Sequence, residues 1–74
     1  MNNSIQSSST TTILRLPLVK ARTGLSRSTI YLRIKAGEFP AQVSLGPRAV
    51  GWLETDIERW ITTQVERSRA GHGQ

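Results

Sequence analysis

The chain has 74 residues, with ten Lys or Arg against five Asp or Glu, giving a formal net charge of +5 and a pI near 11.2. A chain this short suits one small domain with a limited core, and its basic balance favours a polyanionic partner. It contains no cysteine and one histidine, so disulfides and thiolate metal sites are excluded. His72, alone between glycines, suggests neither a metal ligand nor a catalytic base. No run approaches the roughly 20 apolar residues of a membrane span, and MNNSIQSSSTTT lacks the cationic start and apolar stretch of a secretory signal. The expectation is a cytoplasmic, nucleoid-associated protein with no membrane partner, cofactor or enzymatic activity.

Residues 1–12 are almost wholly Asn, Ser, Thr and Gln, with only Ile5 as a clear apolar anchor, and read as a disordered tail. Ile13 to Leu16 is a short strand or extended lead-in to the domain, which spans 13–69. Pro17 suits the first position of a helix, where its missing N–H costs nothing. That helix runs to about Thr23 and can bury Leu16, Val19 and Leu18. Gly24 can take the left-handed conformation that ends it. Ser26 then caps a second helix by accepting from the backbone N–H of Ser28 or Thr29, with Leu25 and Ile30 placed as a hydrophobic staple.

The second helix extends to about Ala36, and Gly37 stops it. Phe39-Pro40 forces an extended backbone. Gln42 to Leu45 and Val50 to Trp52 alternate as short strands around a Gly46-Pro47-Arg48-Ala49 turn. This hairpin is expected to place Val43, Leu45, Val50 and Trp52 on its inner face. A third helix starts near Leu53 and runs to about Ser68; Leu53, Ile57, Trp60, Ile61 and Val65 span an arc of roughly 140°. Residues 70–74 are expected to fray. The result is a mainly α chain with a small β-hairpin, in a winged helix-turn-helix arrangement. Its expected core is Leu16, Val19, Leu25, Ile30, Ile34, Phe39, Val43, Leu45, Val50, Trp52, Ile57, Trp60 and Ile61.

Charge is unevenly divided. Between Ile13 and Trp52 seven cations face only Glu38, whereas from Leu53 onward three arginines face four carboxylates. At roughly 100° per residue, Arg27, Ser28, Tyr31 and Lys35 share one side of the second helix while Ile30 and Ile34 point elsewhere. A basic-polar stripe following a glycine turn is how helix-turn-helix proteins enter a major groove.

The stretch from Leu14 to Ile61 resembles the AlpA family of prophage regulators, relatives of phage excisionases and of the MerR-type DNA-binding domain. The matching pieces are RLP at Arg15 to Pro17, TGLSRSTIY at Thr23 to Tyr31, GEFP at Gly37 to Pro40 and LGPRAVGW at Leu45 to Trp52. An acidic helix start and Trp60-Ile61 follow. The resemblance implies a MerR- or excisionase-like winged helix-turn-helix that binds DNA near integrase genes or attachment sites. One departure stands out: relatives commonly read IYRLI where this chain has Ile30-Tyr31-Leu32-Arg33-Ile34. A contact by the arginine after the tyrosine would be lost here or rerouted from Arg33.

Arg27 can reach a phosphate or a guanine edge. Ser28 and Thr29 can bond phosphate or base, or simply support the cap. Tyr31 can set its hydroxyl on a phosphate, or close the core as a half-buried aromatic. Lys35 suits a backbone contact that adds affinity without reading sequence. Lys20 and Arg22 on the first helix can cross phosphates or stand as solvated charges. Arg33 can contact DNA or pair with a carboxylate of the last helix. Arg48 at the wing tip can enter a narrow minor groove. Trp52 and Trp60 read as core anchors.

No catalytic constellation is present, since Ser26 has no general base at hand. Double-stranded DNA is the expected partner, met by the second helix in the major groove and the wing in the minor groove. Selectivity is expected from several copies side by side or from bending the duplex, with an integrase or recombinase as a further candidate partner. The competing reading is a protein-interaction module that binds an acidic protein.

Overall fold

The computed structural model describes residues 12–72, so the expectations for residues 1–11 and 73–74 lie outside it. In chain order the elements are β1 (Ile13–Leu14), α1 (Leu16–Thr23), α2 (Arg27–Lys35), β2 (Val43–Gly46), β3 (Ala49–Leu53) and α3 (Glu54–His72). α3 runs past the Ser68 end expected from sequence. Leu53, expected to open it, closes β3 instead.

Local chemistry sets most boundaries. The Arg15 carbonyl accepts the Leu18 and Val19 amides at 3.0 and 3.1 Å, so α1 opens at Leu16, expected in the extended lead-in, and Pro17 takes its second position instead of its first. Thr23 closes α1, its hydroxyl donating to the Val19 carbonyl at 2.8 Å and accepting from the Leu25 amide at 3.2 Å. α2 ends in a Schellman motif: Gly37 (φ 76°) donates to the Ile34 carbonyl at 3.0 Å and Glu38 to that of Arg33 at 2.8 Å. The left-handed residue is a glycine, which carries no Cβ penalty there.

The two-stranded hairpin expected from sequence is part of a three-stranded antiparallel sheet, ordered β1-β3-β2. β1 joins through the pairs Ile13 with Leu53 and Leu14 with Trp52. Thr12, assigned to the tail from sequence, is tied to the fold because its carbonyl accepts the Glu54 amide at 2.8 Å. An added strand relieves the marginal stability of an isolated hairpin.

The hairpin register overturns one expectation. Gly46 pairs with Ala49, and an unbroken ladder from that turn would set Leu45 against Val50 and Val43 against Trp52. Instead an irregularity between Ser44 and Gly46 sets Ser44 against Val50 and Val43 against Gly51. One extra residue in a strand flips every side chain beyond it to the other face. Val43 and Leu45 are therefore exposed, not core, at 37% and 44%. A Cβ on buried Gly51 would collide with the Ile13 side chain and approach Leu45 Cδ1 to 3.2 Å. Ile13 and Leu45 thus close over a position only glycine can fill.

The core lies on the other face. Leu14, Val19, Ile30, Phe39, Trp52 and Ile57 are buried, with Leu16, Leu25, Tyr31, Ile34, Val50, Trp60 and Ile61 packed against them. Leu14 enters through β1, whereas Leu18 is exposed and leaves the set expected for α1. Val65, placed on the buried arc of the last helix by its spacing, is also exposed. Both tryptophans anchor backbone: the Trp52 indole donates to the Pro40 carbonyl at 3.1 Å and that of Trp60 to the Glu38 carbonyl at 2.9 Å. Phe39 meets Trp60 edge-on at 4.9 Å between centroids, clasping the α2–β2 connection against α3.

Candidate nucleic-acid interface

The turn Gly24–Ser26 delivers α2 with its first residues in solvent. Ser26 has an extended backbone (φ −76°, ψ 163°), and its Oγ accepts the Thr29 amide at 3.2 Å, so the cap falls on one of the two amides expected. The same Oγ donates to Thr29 Oγ1 at 3.0 Å and lies 3.4 Å from Ser28 Oγ. Thr29 is half-buried and hydrogen-bonded within this capping cluster, whereas Ser28 is exposed.

Arg27, Ser28 and Lys35 are exposed on the stripe and Tyr31 is half-buried, while Ile30 is fully buried beneath. The Arg27 guanidinium carbon sits 5.3 Å from the Tyr31 ring centroid. Tyr31 in turn stands edge-on to Trp52, with centroids 6.2 Å apart and planes at 62°. Ser26, Arg27, Ser28 and Tyr31 line a shallow depression at this end of the helix. Leu32, which sequence reasoning passed over as a site residue, is 69% exposed. It lies four residues after Ser28 and three before Lys35, and so on their side of the helix. The i, i+4 and i, i+3 spacing carries that signal in the sequence itself.

The remaining cations separate. Lys20, Lys35 and Arg48 are exposed and, like Arg27, form no ion pair among the described residues. Arg22 is engaged, its guanidinium pairing with Glu54 at 3.1 Å and Glu58 at 3.3 Å across the α1–α3 seam. Arg33 does not pair with α3; its guanidinium carbon lies 6.0 Å from the Trp60 ring centroid, turned from the stripe. Arg48 holds the wing tip with φ 59°, the one non-glycine residue with positive φ among those described. A residue following proline in that conformation is the third position of a type II-like turn, which normally takes glycine or asparagine.

A second concavity, an open groove of about 770 Å³, runs between the α2–β2 connection and α3. Arg33, Arg59 and Arg67 line it together with Phe39, Trp60 and Asp56. Arg59 is paired with Asp56 at 3.4 Å. Among the described residues no three His, Asp or Glu come together as a metal site, and no helix is long and apolar enough to cross a membrane.

Two short helices across a glycine turn, a small three-stranded antiparallel sheet with a projecting hairpin and a long closing helix form a mainly helical domain. That architecture is compatible with a compact winged helix-turn-helix arrangement. Residues 12–65 match the family model described as prophage CP4-57 regulatory protein (AlpA), and the chain belongs to this AlpA family of prophage regulatory proteins. Over 59 residues it is 46% identical to an Enterobacteria phage P4 protein described as uncharacterized protein ORF88, covering 80% of this chain and 67% of that one. Over 60 residues it is 41% identical to the DNA-binding transcriptional activator AlpA of Escherichia coli K12, covering 73% of this chain and 86% of the relative.

Proposed function

We propose that this chain is a sequence-specific double-stranded DNA-binding protein of the winged helix-turn-helix type that regulates a prophage or integrative element. It acts on transcription of the integrase, on the direction of recombination, or on both. The observation that carries this is the basic-polar stripe along α2, free of ion pairs among the described residues, with Arg27 in solvent over Tyr31 and Ser28 at its start and Lys35 exposed at its end. The stripe belongs to the element that helix-turn-helix proteins set in the major groove. Kinship with a DNA-binding activator supports the same reading. In this arrangement Arg27 and Ser28 reach base edges, Lys35 and Lys20 meet phosphates, and Arg48 enters the adjacent minor groove from the wing tip. So small a unit reads few bases, so useful selectivity comes from several copies on adjacent sites or from bending the duplex.

Selection from a random duplex library followed by footprinting tests this. The expected result is one recurrent site whose log affinity falls linearly with log salt, by about 0.9 per phosphate neutralised. Failure to enrich any sequence, with affinity flat in salt, overturns it. Bending and cooperative loading at an attachment site mark the excisionase role; protection upstream of an integrase promoter marks the activator role.

One observation favours a second reading. The groove is lined by Arg33, Arg59 and Arg67 beside Phe39 and Trp60, with Glu38 and Asp56 also in its wall. Asp56 holds Arg59, which leaves Arg33 and Arg67 to meet an acidic protein segment with an apolar anchor. A recombinase supplying such a segment would compete with an acidic peptide for this groove while leaving duplex binding intact.

A further inference from the structure

We infer that Tyr31 is the positioning residue for Arg27: its ring, braced by Trp52, holds the guanidinium oriented for a base edge before DNA arrives. This rests on the DNA-binding reading above and assigns within it a role separate from a phosphate contact by the Tyr31 hydroxyl.

Arg27 is the first residue of α2, where a cation opposes the helix dipole. The first turn offers no acidic residue, and no carboxylate elsewhere among the described residues pairs with it. What it does have is the face of Tyr31 one turn on, at 5.3 Å. A ring face is electron-rich and attracts a guanidinium, more strongly when water is excluded from the pair. The ring is itself constrained. Tyr31 is half-buried against the core and stands edge-on to fully buried Trp52 at 6.2 Å. Trp52 is fixed in turn by its hydrogen bond to the Pro40 carbonyl.

The stack therefore runs from the middle strand of the sheet to the tip of the recognition helix, ending in a guanidinium in solvent. An arginine free in solvent loses rotamer freedom when it docks, and ordering it costs roughly two- to tenfold in affinity. Holding it on the ring removes part of that loss. It also restricts the directions from which the fork can meet a guanine O6/N7 pair, so the stack sharpens selectivity as well as affinity.

The test uses the full chain and its selected duplex. Tyr31→Phe keeps the ring and removes the hydroxyl, whereas Tyr31→Leu removes the ring. The expected result is binding within about twofold of the parent for Tyr31→Phe and a loss of about tenfold for Tyr31→Leu, with weaker discrimination against a substituted guanine. Arg27→Ala then costs less in the Tyr31→Leu background than in the parent. In the free parent protein the Arg27 Nε–H proton resonates upfield under the ring current, and Tyr31→Phe retains that shift. This measurement stands even if Tyr31→Leu does not fold.

Equal weakening by both Tyr31 substitutions overturns the inference in favour of a hydroxyl contact. Equal Arg27→Ala costs in the two backgrounds, or an Arg27 Nε–H proton at its free-peptide shift, overturn it as well. Each of those results leaves the DNA-binding reading standing. Failure of the parent protein to select any duplex overturns that reading and the inference together.

Discussion

The start of α2 and the seam between α1 and α3 hold chemically similar arginines in opposite circumstances. Arg27 faces solvent over an aromatic ring with no carboxylate partner among the described residues. Arg22 bridges Glu54 and Glu58, on two successive turns of α3. In sequence both belong to the same strongly basic block. The difference teaches that a run of cations does not locate a positive surface; the carboxylates that the fold brings against it decide. Packing α1 on α3 sets two carboxylates against Arg22 and leaves Arg15, Lys20, Arg27, Lys35 and Arg48 of that block exposed without an ion pair among the described residues.

That contrast can be broken most directly at Arg27. Arg27→Ala is expected to weaken binding to the selected duplex by about 1–3 kcal/mol, with no change in melting temperature. Fluorescence anisotropy alongside thermal denaturation checks both, and an unaltered affinity would remove α2 from the interface. Arg48 offers a sharper form of the test, because its two effects have opposite signs. Arg48→Gly relieves a left-handed backbone and should stabilise the fold by about 1 kcal/mol. It should also lower duplex affinity about fivefold by removing a minor-groove cation. Gained stability with unchanged affinity would detach the wing from DNA.

For the paired arginine the expectation reverses. Arg22→Ala should lower unfolding stability in urea by up to about 1 kcal/mol, since its bridges are at the surface, while duplex affinity changes little. A loss of affinity equal to that of Arg27→Ala would mean the carboxylates release Arg22 to phosphate, and the contrast would fail. The smallest expected effect lies at Leu32, exposed on the same side as Ser28 and Lys35. Its methyl groups suit the C5-methyl of a thymine. Replacing thymines of the selected site by uracil should then cost roughly two- to threefold at one position for the parent and nothing for Leu32→Ala. Equal sensitivity in both proteins would leave Leu32 a solvent residue only.

Much of this is legible in the sequence. Gly24, Ser26 and Gly37 mark their boundaries because left-handed turns and N-caps are local events, satisfied by the residue itself and its neighbours. Spacing alone put Ile30 inward and Arg27 outward. It also left two roles open for Thr29 and two for Tyr31. The capping cluster engages Thr29, and packing against Trp52 half-buries Tyr31, so the aromatic reading of that ring describes its place in the free protein. In the free protein Arg33 lies against Trp60, away from the side of α2 that carries Leu32.

By itself the sequence determined the order of helices and strands, the two helix ends around the turn and the polar stripe on α2, since each follows from interactions spanning a few residues. Only the tertiary structure decided which face of the hairpin meets the core, that β1 completes the sheet, and which arginines keep their charge in solvent. Val43 and Leu45 alternate as faithfully as Val50 and Trp52, so periodicity allowed all four a common face; one added residue in β2 set the first pair apart. The pairing of Arg22 joins residues more than thirty positions apart, and its partners became visible only when the chain closed on itself.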